Sequence, residues 1–95
     1  MKVFIIQPMN GRTDCEILKE RNEIMRSFKS LGIDVIDSYI EEDGTPVELL
    51  GKSLEMMSKA DLVYLVKGWD KARGCRIEKQ VAEDYGFTII KGYKD

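Results

Sequence analysis

The chain is 95 residues long, 43% hydrophobic and 34% charged, with a formal net charge of −2, two cysteines and no histidine. That size accommodates one domain, spanning 1–95, with a core of four or five elements and a single small site. The charge balance excludes the broad basic face that duplex nucleic acid requires; without histidine, neither a zinc site nor a Ser-His or Cys-His nucleophile pair can be assembled within the chain, and no metal or cofactor is expected.

Lys2 to Pro8 (KVFIIQP) is a compact apolar run rich in β-branched residues, closed by Pro8 and the turn pair Asn10-Gly11, and reads as a buried strand. Thr13 or Asp14 then caps a helix to Leu31, with Ile17, Leu18, Ile24, Met25, Phe28 and Leu31 as its apolar stripe, Arg21 projecting into that stripe and Gly32 ending it. Asp34 to Ile40 (DVIDSYI) reads as a second strand. EEDGTP is a polar turn whose Thr45-Pro46 pair opens a helix running to about Lys59. The apolar residues of that helix, among them Val47, Leu49, Leu50, Leu54, Met56 and Met57, cover half the wheel, wider than one sheet face needs. Either they are simply core, or the 46–59 helix is shared with a second subunit in a homodimer or higher homo-oligomer. Asp61 to Val66 (DLVYLV) is a third strand, Cys75 to Tyr85 a third helix, and Phe87 to Lys91 (FTIIK) the last strand, entered through Gly86. No apolar run is long enough to span a bilayer, and Met1-Lys2-Val3 leads straight into a strand. No membrane segment or secretory leader is therefore expected, and the expected compartment is the cytosol.

The order β-α-β-α-β-α-β with short connections predicts an α/β, flavodoxin/Rossmann-like three-layer fold: a four-stranded parallel sheet, order 2-1-3-4, with right-handed crossovers. Ligands of such sheets sit beyond the carboxyl ends of the strands where the winding reverses, here between the first and third strands. Those strands run into QPMNGRTD and KGWDKARGCR. Gly11 and Gly74 permit close backbone approach, each loop enters a helix N-terminus, and Arg12, Lys71, Arg73 and Arg76 add positive charge, a combination suited to a phosphate. Trp69 offers a flat surface on which a base could stack, or it is packing. Cys15 and Cys75 open two helices at this edge, where a helix dipole can lower a thiol pKa; the alternative is inert buried thiols. On the third helix Cys75, Ile77, Glu78, Val81, Ala82 and Tyr85 share the inward half of the wheel, so Glu78 is its one inward carboxylate. Such a group either is neutralised by a buried partner such as Arg21 or faces a ligand's sugar.

Three stretches, FIIQPMNGRTD, SLEMMSKADLVYLV and the G-x-x-x-E-x-x-x-A spacing of Gly74, Glu78 and Ala82, resemble over nearly the whole chain the nucleoside 2-deoxyribosyltransferase-like superfamily. That group includes deoxynucleoside monophosphate N-glycosidases and many small bacterial and phage proteins. The resemblance implies a flavodoxin-like fold, often dimeric, with a glutamate at the Glu78 position attacking or stabilising the anomeric carbon of a deoxyribose. The first loop, Gln7, Pro8, Met9 and Gly11, would hold phosphate or sugar, and Tyr39 would line the base pocket. Where family enzymes commonly carry an aspartate that protonates the leaving base, this chain has Ser53, a poor general acid. The expected function is therefore binding of a small nucleotide or nucleotide-derived ligand, as in sequestration of a nucleotide signal. One alternative is N-glycosidic bond cleavage or deoxyribosyl transfer with Glu78 as nucleophile; the other is a non-catalytic dimeric scaffold.

Overall fold

The computed structural model describes residues 1–38 and 44–94. Strands β1 (Lys2–Ile6), β2 (Asp34–Val35), β3 (Leu62–Leu65) and β4 (Thr88–Lys91) alternate with helices α1 (Asp14–Ser30), α2 (Pro46–Met57) and α3 (Arg73–Asp84). The sheet is wholly parallel in the order β2-β1-β3-β4, as the alternation of elements predicts.

Side-chain alternation along the two central strands builds two cores. Phe4 and Ile6 of β1 and Val63 and Leu65 of β3 cluster with Met57 of α2 and with Ala72, Cys75 and Ala82 around α3. On the opposite face Tyr64 of β3 meets Phe28 of α1 edge-on, ring centroids 5.2 Å apart. One helix thus covers one face and two cover the other, the arrangement that right-handed crossovers impose on this strand order. Phe4, Ile5, Ile6 and Leu65 are almost completely buried, and each such side chain contributes about 1.5–3 kcal/mol through removal of apolar surface from water. Thr13 and Glu16 at α1, and Thr45 and Glu48 at α2, form reciprocal capping boxes that satisfy the first free amides of each helix.

The strands and the first two helices are shorter than the sequence pattern predicts, and two differences shape the site. β1 stops at Ile6, before Gln7-Pro8, whose proline has no amide to donate. β2 keeps only two residues: its pairing with β1 ends at Val3↔Val35, followed by one further bond from Ile36 N to Val3 O, and Ser38 accepts instead from the Arg21 guanidinium at 3.3 Å. Residues 39 and 40 of the expected strand lie outside the described residues. α3 begins two residues earlier than expected, after a single 3-10 turn at Trp69–Lys71. Its inward face is Cys75, Glu78 and Ala82, whereas Ile77 and Tyr85, expected inside, are exposed. A wheel gives the arc of a residue but not how far the sheet extends beneath it, and β4, at the edge, covers only part of α3.

Candidate functional site

Because β2 is so short, the carboxyl half of β1 has no strand neighbour on that side among the described residues. The gap is a cleft of about 610 Å³, bounded by the end of β1, the first turns of α2 and the first two turns of α3. Part of the broad apolar arc of α2 falls here, while Val47 stays exposed. Met57, with Leu54 and Met56, packs on the core, while Leu49 and Leu50 form a wall of the cleft.

Glu78 lies at the base of this cleft, 8% exposed, and Arg21 reaches the same space from α1, 2% exposed. Helices on opposite faces of the sheet thereby present opposite charges to one gap. Burial pushes the Glu78 carboxyl up to about 7, and the positive charge of Arg21 opposes that rise. Glu78 is the one carboxylate among the described residues that line the cleft.

Gln7 supplies a second buried polar group. Its Nε2 donates to Ile17 O at 2.9 Å and to Glu20 Oε1 at 3.0 Å, both acceptors, which fixes the orientation of the amide. The remaining atom, Oε1, is buried and accepts no hydrogen bond among the described residues. Gln7 lines the cleft. A buried acceptor left without a donor costs about 1–3 kcal/mol.

The rim carries the positive charge. Lys71, Arg73 and Arg76 line the cleft where α3 begins, and Arg76 is steadied by donating to Asp70 O at 3.0 Å. In contrast to α1 and α2, α3 has an alanine, Ala72, at its cap position and no side-chain cap. A Cβ added at Gly74 would meet nothing within 4 Å, so the backbone of the first turn is approachable. At Cys75, burial, reinforced by the Glu78 charge and only partly offset by Arg76, pushes the thiol up to about 12, which fits the inert buried thiol of the two alternatives and not the dipole-lowered one. Cys15 is exposed on α1 and does not line the cleft.

Of the residues singled out in the sequence, Gln7, Met9, Arg21, Arg73, Gly74, Cys75 and Glu78 meet in this cleft, and so does Ser53. Tyr39 lies outside the described residues. Pro8, Gly11, Arg12 and Trp69 are elsewhere. Gly11 makes a turn with φ +71 and is exposed. Arg12 is held by Glu20 at 2.7 Å and by Pro8 O at 3.1 Å, and with Pro8 it lines a neighbouring depression of about 350 Å³. Trp69 is turned away toward Tyr93, whose Oη accepts from its Nε1 at 2.7 Å, in a third depression of about 470 Å³. Sequence reasoning missed Asn10, Ser38, Leu49 and Leu50. The only signal for the leucines was the excess width of α2's apolar arc; for Ser38 it was a small polar residue inside an apolar strand pattern.

No curated protein gives a significant match to the chain. The model of DUF4406, a domain of unknown function, matches residues 1–91, and the chain belongs to that family.

Proposed function

We propose that the cleft binds a small phosphorylated nucleoside, with Glu78 and Gln7 accepting hydrogen bonds from the sugar hydroxyls and the Lys71, Arg73 and Arg76 rim facing the phosphate. The observation that carries the reading is the pairing of two buried acceptors, the Glu78 carboxyl and Gln7 Oε1, with a cationic, uncapped helix start at the mouth of one cleft. Hydroxyls donate and carboxylates accept; anions favour free amides and guanidinium groups. Leu49 and Leu50 provide the apolar wall that a base needs. The resemblance to the nucleoside 2-deoxyribosyltransferase-like superfamily supports the same ligand class.

Calorimetric titration with nucleoside 5′-monophosphates tests it. Hydroxyl donors stabilise the ionised form of Glu78, so binding releases a proton and affinity rises from about pH 6 to about pH 8. The Glu78→Gln protein, exposed to the same change in phosphate charge, loses that part of the rise and binds about tenfold more weakly at the upper pH. Equal affinity and equal pH dependence for both proteins would sink the assignment of Glu78.

A second reading, cleavage of the N-glycosidic bond with Glu78 as nucleophile, is favoured by one observation: a desolvated carboxylate titrating at about 7 is characteristic of catalytic groups. Against it stands the lack of a second carboxylate among the described lining residues, since Ser53 cannot act as the general acid. Chromatography of the same titration mixtures decides: free base released by the unmutated protein and not by Glu78→Gln establishes cleavage, and intact nucleotide in both leaves binding alone.

A further inference from the structure

The three depressions along the carboxyl edge of the sheet are neighbours. Lys71 lines all of them; Asn10 and Ala72 are common to the Glu78 cleft and the depression beside Arg12; Lys67 and Gly68 are common to that depression and the one beside Trp69. They form one track around the 3-10 turn at Trp69–Lys71. Its middle is lined by Pro8, Asn10 and Gly68, by Lys67 and Lys71, and by the Arg12–Glu20 ion pair.

The far end has its own chemistry. Trp69, the only tryptophan of the chain, is locked in place by its hydrogen bond to Tyr93 and by the Lys79 ammonium 5.0 Å from its ring centroid. With its Nε1 satisfied, Lys79 over its ring and part of the indole packed against the core, Trp69 can offer a ligand only the apolar surface that is left exposed. Tyr93 Oη accepts from Trp69 and keeps its own proton to donate. Lys67, Lys71, Lys79 and Lys91 line the same depression, together with Asp70; Lys79 also pairs with Glu83. An aromatic surface, a hydroxyl donor and several ammonium groups are what a second nucleotide unit requires: a face to stack on and charge for the linking phosphate.

We propose that the ligand of this protein is a phosphodiester-linked dinucleotide, one nucleoside seated over Glu78 and Gln7, the linking phosphate crossing at Lys71 and Lys67, and the second base against Trp69 and Tyr93. The proposal rests on the nucleotide reading of the Glu78 cleft and deepens it by naming the ligand's length and polarity of contacts. A duplex does not fit: its paired bases are not free to stack on a side chain, and the chain lacks the basic face to hold one.

Trp69 fluorescence reports the far end alone, and calorimetry reports total binding. Linear dinucleotides with a 5′-phosphate are expected to bind about tenfold more tightly than the matching 5′-monophosphates and to quench Trp69, whereas the monophosphates bind without quenching. Lys67→Ala, an exposed substitution outside the Glu78 cleft, and Tyr93→Phe should lower dinucleotide affinity toward the monophosphate level and leave monophosphate affinity unchanged. Monophosphates and dinucleotides of equal affinity, with Trp69 fluorescence unaltered, would overturn the extended ligand while leaving the Glu78 cleft assignment standing. Quenching of equal depth by inorganic pyrophosphate would also overturn it, by showing that the lysines hold a free anion. Absence of heat with every nucleotide overturns the cleft assignment and the extension together.

Discussion

A carboxylate that the fold holds at about 7, against an ordinary 4.5, is a group the folded chain prefers protonated. The difference, roughly 2.5 pH units, corresponds to about 3 kcal/mol at 1.36 kcal/mol per unit. The sign follows from which state binds the proton more tightly. Glu78 is protonated in the folded protein up to about pH 7 and in the unfolded chain only to about 4.5, so its contribution is most favourable below 4.5. It declines as pH rises through that window and is flat above it. Urea unfolding at about pH 8 should therefore find Glu78→Gln more stable than the unmutated protein, by up to about 3 kcal/mol, and the two nearly equal near pH 4.5. A Gln variant that is less stable at pH 8 would show that the ionised carboxylate is held by more favourable contacts than burial allows. Such a penalty at neutral pH is what the ligand role proposed for Glu78 would entail.

The helices divide by how their first turns are satisfied. In α1, Thr13 Oγ1 accepts from the Glu16 amide at 3.2 Å while the Glu16 carboxylate accepts from Thr13 N at 3.2 Å, and α2 repeats the device with Thr45 and Glu48. Thr13→Ala should cost about 1 kcal/mol in unfolding free energy and Thr13→Ser should restore most of it; a cost below about 0.3 kcal/mol would mean that water replaces the cap fully. α3, whose cap position is Ala72, forgoes this stabilisation at the edge where the cleft opens. These element-level features were legible in the chain because they are local. Thr13-Asp14, Thr45-Pro46 and Gly32 are adjacent to the ends they set, and Glu78 stood out as the single carboxylate on the inward arc of its helix. What was not legible depends on partners distant in sequence. Ser38, past the end of β2, accepts from Arg21, 17 residues earlier, and Trp69 donates to a tyrosine 24 residues later. No spacing rule reports either of these.

At the scale of the whole molecule the sheet is asymmetric, and the asymmetry opens the candidate cleft. β3 is paired along all four of its residues on both edges, with Val3–Ile6 of β1 and with Thr88–Lys91 of β4. β1 is paired along its length with β3 but with β2 only at Lys2 and Val3, and its carboxyl half gives onto the cleft. β4 is an edge whose Thr88, Ile90 and Lys91 are exposed. Local opening requires breaking the hydrogen bonds and apolar contacts that hold a segment, so protection should follow this order of enclosure. Amide hydrogen exchange under native conditions is expected to be slowest for Val63, Tyr64 and Leu65, intermediate for the carboxyl half of β1 and fastest among the strands for β2 and β4. Protection of β4 equal to that of β3 would contradict the order and require a cover over the β4 edge, such as a second copy of the chain. A mononucleotide bound in the Glu78 cleft adds contacts to the end of β1 and the start of α3 and none to β4. It should therefore slow exchange at Gln7 and in the first turn of α3 while leaving Ile89 and Ile90 unchanged, which makes exchange a map of where the ligand sits as well as a test that it binds.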